Sequence, residues 1–287
     1  MHSLLFVPGD DENKLAQALK SDADALIVDL EGSVAEARKP AARATAAAFV
    51  AEARRLATRP RLYVRVNPFA SGLTAADLDA TIPAVPDGLV LPKCLGGADV
   101  QRLSANLAVR EAEYDLVDGS TRVIAIAADS ACALFAFASY RGASHRLEGL
   151  AWGGEDLAAD LGAETNRLPD GGYCAPYALA RTLTLVGAVA ANARPIDAVH
   201  ADFRDLDGLR AEALAARRDG FVAKMAIDPA QVSIINEAFA VSPAAIARAH
   251  AIVAAFEAAP GAGVVAVEGE TLDLPRLKRA KRLLDSA

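Results

Sequence analysis

Short runs of β-branched and other apolar residues alternate along this chain with longer stretches in which Ala, Leu, Arg and Glu recur at helical spacing. Runs that are apolar throughout belong to strands buried on both faces, as in parallel sheets covered by helices. The pattern predicts strands over residues 4–8, 25–31, 61–67, 88–93, 122–128, 147–153, 196–200 and 221–227. Helices are predicted over 13–20, 40–57, 100–113, 176–192 and 205–217, long enough to return the chain for each next parallel strand. This alternation predicts an α/β fold closed as a TIM (β/α)8 barrel, which takes about 250 residues. A doubly wound open sheet is the runner-up, but no G-x-G-x-x-G follows the first strand.

The barrel is assigned to residues 1–228 and a C-terminal helical extension to 229–287. That extension holds helices over 229–240 and 243–257, a break at Pro260-Gly261, a strand-like 264–267 and an amphipathic tail over 274–284. It exceeds one closing helix, so it is expected to act as a lid over a barrel mouth or to contact a neighbouring subunit.

Composition narrows the core and the partners. Hydrophobic residues make up 53% of the chain and aromatics 5%, so Ala, Leu, Val and Ile must fill the interior. The net charge is −7 and the Lys and Arg residues are scattered, which excludes the basic stripe of a nucleic-acid binder. No apolar run approaches the roughly 20 residues of a membrane span, and Met1 leads into the first strand without a basic leader, so a cytoplasmic protein is expected. The cysteines Cys94, Cys132 and Cys174 are odd in number and widely spaced, arguing against disulfides and a zinc cluster.

Barrel enzymes work at the C-terminal ends of their strands. Those ends here carry Asp29 and Glu31, Arg65 and Asn67, Lys93, Asp129, Glu155 and Asp156, and His200 leading to Asp202. Carboxylates gathered on one rim repel each other unless a cation sits among them. With oxygen donors dominant, that cation is a hard one such as Mg²⁺, which needs only one or two protein carboxylates. Each residue also has a plainer reading: Asp129 suits a helix N-cap, Arg65 an ion pair with Glu31, Lys93 a solvated strand end, and Glu155 or Asp156 a helix first turn.

The strings Leu5-Phe6-Val7-Pro8-Gly9-Asp10, Asp29-Leu30-Glu31-Gly32-Ser33-Val34, Val64-Arg65-Val66-Asn67, Leu91-Pro92-Lys93 and Trp152-Gly153-Gly154-Glu155-Asp156-Leu157 fall at these strand ends. In order, they resemble the motifs of the citrate lyase β-subunit-like family, which sits with the HpcH/HpaI aldolases and includes malyl-CoA and citramalyl-CoA lyases. The likeness continues through Asp202-Phe203-Arg204-Asp205, Lys224, Ile227 to Gln231 and the tail from Gly269 to Pro275.

The resemblance implies a Mg²⁺-dependent carbon–carbon lyase or aldolase. It would cleave or form a citryl, malyl or citramalyl thioester, giving an acetyl thioester and a 2-oxo acid. It implies Asp129 and Asp156 as metal ligands, Arg65, Asp129 and Lys93 as substrate contacts, and Arg65 with Glu31 or Asp273 as catalytic groups. Lys14 and Lys20 are candidates for the phosphates of coenzyme A, an acyl-carrier protein being the other carrier; exposed helix lysines are their plainer description. Three positions depart from the family pattern: Asp129 where a Glu is usual, Gly32 where a second acid is common, and Asp228 where a His is usual. The family further implies a homo-oligomer, a trimer or hexamer, and leaves room for citrate lyase complex partners. An acyl-CoA thioesterase on the same barrel and a non-catalytic binding or complex subunit are the alternatives.

Overall fold

The computed structural model describes residues 1–286. Its first half runs β1 (Ser3–Pro8), α1 (Glu12–Ala18), β2 (Ala25–Asp29), α2 (Lys39–Ala53), β3 (Arg61–Arg65), α3 (Thr74–Thr81), β4 (Gly88–Leu91), α4 (Gly97–Glu113), β5 (Arg122–Ile126) and α5 (Ala131–Leu134). There follow β6 (Leu147–Ala151), α6 (Gly154–Leu161), α7 (Ala175–Ala190), β7 (Arg194–Asp197), α8 (Leu206–Asp219), β8 (Ala223–Ala226), α9 (Pro229–Phe239), α10 (Pro243–Glu257), β9 (Val264–Val267), β10 (Glu270–Asp273) and α11 (Leu274–Ser286). The strands β1 to β8 pair in chain order, all parallel, and β8 closes on β1, so the expected TIM barrel is the observed one.

Most strands leave the ladder about two residues before the apolar pattern ends, because the chain stays extended after its last pairing. The strand expected over 196–200 begins earlier, at Arg194. Pro195 hides that start: it has no N–H to suggest a ladder position, yet its carbonyl accepts from Val222 at 3.1 Å. The helices α3 and α5 were not foreseen, being too short to show a helical period.

Side-chain alternation along the strands decides what reaches the mouth. Leu4, Ala25, Ile27, Tyr63, Val90, Ile124, Ile126, Ala151, Ile196, Ala223 and Met225 form one buried cluster drawn from all eight barrel strands. Positions two further along each strand keep the same orientation. Asp29 thus follows Ile27 inward, and Arg65 follows Tyr63. The apolar interior thereby ends in a layer of charge.

The chain divides into two compact units, Met1–Ala238 and Phe239–Ala287. The sequence puts the boundary at 228/229, but nearly all of α9 belongs to the first unit. Gln231 shows why: it accepts from Ile227 N at 2.9 Å and donates to His200 O at 3.0 Å. The second unit packs α10, α11 and the β9–β10 hairpin around Ala249, Ile252, Phe256, Leu272 and Ala280. Glu268 and Gly269, at φ 49° and 81°, supply the two positive-φ positions of the tight hairpin turn.

One expectation is corrected here. The 29 residues Pro229–Glu257 are long and apolar enough, by composition alone, to cross a membrane, an 18-residue stretch within them having a mean hydropathy of 1.5. The stretch is broken at 240–242, where Ser242 Oγ accepts from Ala245 N at 3.2 Å and caps α10. The resulting helices of 11 and 15 residues are each shorter than the roughly 20 a span needs.

Candidate active site

A cavity of about 280 Å³ opens at the C-terminal mouth of the barrel. Its lining combines apolar Phe6, Ile126, Val199, Met225 and Ile227 with charged Asp29, Arg65, Asp129, Glu155 and Asp156.

Arg65 and Asp29 form a two-point pair across β2 and β3, Nε to Oδ1 at 2.6 Å and Nη2 to Oδ2 at 2.7 Å. Asp29 also accepts from Glu31 N at 2.8 Å, Ser33 N at 2.8 Å and Ser33 Oγ at 2.5 Å. Burial works to raise the Asp29 carboxyl, but Arg65, Ser33 and the Glu31 N–H outweigh it and hold the group below its usual range. Arg65 lies 4.6 Å over the Phe6 ring and reaches Glu31 through Nη1 at 3.3 Å. The plainer reading of Arg65, an ion pair with Glu31, is therefore present but secondary to Asp29.

Beneath this pair, the buried Lys39 at the start of α2 donates to Leu30 O at 2.9 Å, Glu31 O at 3.0 Å and Asn67 Oδ1 at 2.6 Å. Fully buried Asp77 in turn accepts from Asn67 N at 2.7 Å and Asn67 Nδ2 at 2.8 Å. These bonds fix the chain that carries Glu31.

Asp129 stands past the end of β5 and is 5% exposed. Its Oδ2 accepts the Lys93 N–H at 3.0 Å, while its buried Oδ1 has no hydrogen-bond partner. That oxygen lies where Gly153 has no side chain: a Cβ there would stand 2.5 Å from it. Burial first, and then repulsion from Asp156 and Glu31, push the Asp129 carboxyl up to about 7 against the pull of Lys93 N–H and Arg65. Asp129 is not the N-cap of the next helix; Ser130 caps α5, accepting from Ala133 N.

Asp156 is half-exposed in the first turn of α6, and Lys93 Nζ is 3.6 Å from its Oδ1. The same ammonium donates to Glu31 Oε1 at 3.0 Å. Glu155 is tied to Asn166 Nδ2 at 2.7 Å. Gly32 leaves open the space beside Arg65, since a Cβ there would meet Nη2 at 3.1 Å. Asp228 accepts from Ala230 N at 2.8 Å at the start of α9.

The barrel thus gathers Glu31, Arg65, Lys93, Asp129 and Asp156 at one mouth. Lys14 and Lys20 do not line this cavity; Lys14 is exposed, 3.9 Å from Asp11. Asp273 ends β10 in the second unit, where it accepts from Arg276 N at 3.2 Å. Asp202 is exposed and accepts from Arg204 N. Asp29, expected only as one of the rim acids and given no role, is the partner that holds Arg65, and its parity with Ile27 marks it as inward-facing.

These groups fit a hard cation. No three His, Cys, Asp or Glu side chains converge among the described residues, but Mg²⁺ needs only one or two carboxylates and keeps waters on its other positions. The unpartnered Oδ1 of Asp129, with repelling Asp156 nearby, is the donor such an ion requires.

A closed parallel barrel with an acidic, Arg-bearing mouth defines an enzyme of the (β/α)8 class. Within that class the chain belongs to the HpcH/HpaI aldolase/citrate lyase family, whose profile matches residues 2–229. It is 31% identical to the mitochondrial citramalyl-CoA lyase of Rattus norvegicus, over 99% of this chain and 85% of that one. It is 33% identical to a (3S)-malyl-CoA thioesterase of Cereibacter sphaeroides, over 99% and 94%. Among solved structures, the protein CitE of Mycobacterium tuberculosis in complex with magnesium, acetoacetate and coenzyme A superposes with a TM-score of 0.77. That match has 31% identity and covers 100% of this chain and 97% of the other.

Proposed function

We propose that the chain is a Mg²⁺-dependent carbon–carbon lyase that cleaves, or in reverse forms, a hydroxyacyl-CoA of the citryl, malyl or citramalyl type, with an acetyl thioester and a 2-oxo acid as products. The observation that carries this reading is the buried, unpartnered Oδ1 of Asp129, on the same cavity as Asp156 and Arg65. The likeness to a citramalyl-CoA lyase and to a magnesium- and coenzyme A-bound CitE supports it.

Asp129 and Asp156 would hold the ion, which when bound supplies Lewis acidity and a template for the oxo-acid oxygens. Arg65, aimed by Asp29, keeps N–H groups on Nη1 and Nη2 for those oxygens and stabilises the charge they gain. In cleavage, a carboxylate takes the proton from the 3-hydroxyl. The C–C electron pair passes to the thioester carbonyl as an enolate, and protonation of its carbon gives the acetyl thioester.

Glu31, 12% exposed and held between Arg65 and Lys93, is one carboxylate for that proton. Asp273, brought by the C-terminal unit of a neighbouring copy, is the other. Lys93 offers a second cation to substrate oxygens. Lys14 and Lys20 are proposed for the carrier's phosphates.

Thioester hydrolysis is the second reading, supported by the likeness to the malyl-CoA thioesterase. Purified protein with Mg²⁺ is offered malyl-CoA, citramalyl-CoA and citryl-CoA, and the products are separated. Acetyl-CoA with a 2-oxo acid is the expected outcome. Free CoA with an intact hydroxy acid supports hydrolysis instead, and no turnover of any of the three sinks the lyase reading.

A further inference from the structure

Lys93 follows β4 at φ 50°, in the left-handed region that a residue with a β-carbon seldom enters. Glycine would sit there more easily. From this strained position one residue engages three carboxylates. Its N–H donates to Asp129 Oδ2 at 3.0 Å, its ammonium donates to Glu31 Oε1 at 3.0 Å, and it lies 3.6 Å from Asp156 Oδ1. Asp129 and Asp156 are the groups read above as cation ligands. The side chain is 45% exposed and touches this acidic rim from the solvent side.

The charges around it are unbalanced. Asp29, Glu31 and Asp156 outnumber Arg65 and Lys93, and Arg65 is engaged by Asp29 at two points and by Glu31 at a third. Among the described residues, Lys93 is thus the cation paired with Asp156. Glu31 and Asp156, both within reach of one ammonium, repel each other less with its charge between them when no metal is bound.

We propose that Lys93 is the resident counter-ion of the metal site: its ammonium balances Glu31 and Asp156 in the metal-free protein and gives up Asp156 when a divalent cation arrives. The inference rests on Asp129 and Asp156 being the cation ligands. Because ammonium and metal compete for one carboxylate, Lys93 weakens metal binding, as any equilibrium that masks the competent state does. Metal binding in turn frees the ammonium toward Glu31 and an incoming substrate, so the site recruits its second cation only once it is loaded.

The test titrates Mg²⁺ and Mn²⁺, with no organic ligand, into the full-length chain and its Lys93→Met, Lys93→Gly and Lys93→Arg variants. Calorimetry follows both ions, and electron paramagnetic resonance follows free Mn²⁺. The Met and Gly variants are expected to bind both ions roughly three- to tenfold more tightly, as removal of one partly exposed ion pair that competes with the metal for Asp156 implies. Lys93→Arg, which keeps the charge, stays within about twofold. Lys93→Gly keeps the N–H on Asp129 and removes the backbone strain, so agreement between Gly and Met assigns the effect to the ammonium.

Unchanged or weaker metal binding in both neutral variants overturns the counter-ion role while leaving the metal site standing. So does a raised KM for a 2-oxo acid with metal affinity unaltered, which makes Lys93 a substrate contact only. If the unaltered chain binds neither ion, the reading of Asp129 and Asp156 fails first and the inference falls with it.

Discussion

A Cβ on Gly153 would stand 2.5 Å from Asp129 Oδ1, a buried oxygen with no hydrogen-bond partner. The missing side chain just past β6 therefore makes the room into which the carboxylate just past β5 points. Gly153 has φ −130° and ψ 116°, extended values that alanine adopts freely, so Gly153→Ala acts on Asp129 rather than on the backbone. The methyl must turn the carboxylate away. Mg²⁺ affinity is expected to fall by about tenfold or more, roughly 1.4 kcal/mol, with the metal-free melting temperature nearly unchanged. A titration showing the same affinity as the unaltered chain would remove Oδ1 from the metal site.

Asp129 also sets a pH dependence. Burial leads the causes that lift its carboxyl to about 7, above its ordinary 3.8. The folded metal-free chain therefore holds a proton that the unfolded chain releases. That contribution to stability is fully present below about pH 3.8 and is lost as pH rises through about 7. Asp129→Asn should flatten this part of the stability–pH curve. Metal binding needs the ionised form, so Mg²⁺ affinity should drop by about tenfold per unit below pH 7 and binding should release a proton. Calorimetry in buffers of different ionisation heat measures that release; none at pH 6 contradicts the assignment.

How far the sequence foretold this site can be read from single residues. The barrel was legible because eight apolar runs at regular spacing leave few other folds, and the rim acids because they stand just past those runs. Asp29 was readable too, since side-chain alternation from Ile27 turns it inward, but Glu31 drew the attention. Three features were not readable. The left-handed turn at Lys93 depends on Asp129 receiving its N–H from 36 positions away. The empty side of Oδ1 depends on Gly153, one strand over. The buried set around Lys224 joins β7, β8 and α8, and no local pattern distinguishes such a lysine from a solvated one.

Arg65→Lys tests geometry at constant charge. Arg65 spends Nε and Nη2 on the two oxygens of Asp29 and still presents N–H groups to the cavity; a lysine ammonium cannot do both. Turnover on the best of the three thioesters should fall by about 10²- to 10³-fold, the usual cost of losing one oxyanion donor. Mg²⁺ affinity should change little. Steady-state kinetics beside a metal titration separate the two, and full activity in the lysine variant would leave Arg65 a structural partner of Asp29.

Lys224 supplies the opposite case, a charge that serves stability. It is completely buried on β8, where Nζ donates to Ala198 O at 2.7 Å, Glu212 Oε2 at 3.2 Å and Asp197 Oδ2 at 3.3 Å. Asp197 also accepts from Trp152 Nε1 at 2.9 Å and Arg181 Nε at 3.1 Å. Burial opposes ionisation of Glu212, yet His200, Lys224 and Arg167 hold it down to about 2. Its depressed value adds stability that is present above about 4.5 and lost as pH falls through about 2. Lys224→Met leaves Asp197 and Glu212 short of a partner and should destabilise the fold by about 3–5 kcal/mol. The loss should be greatest near neutral pH and smaller toward pH 4, where Glu212, relieved of Lys224, can take a proton. Chemical denaturation at the two pH values checks this, and Mg²⁺ affinity of the folded variant should stay within about twofold, because Lys224 is not among the residues that line the cavity.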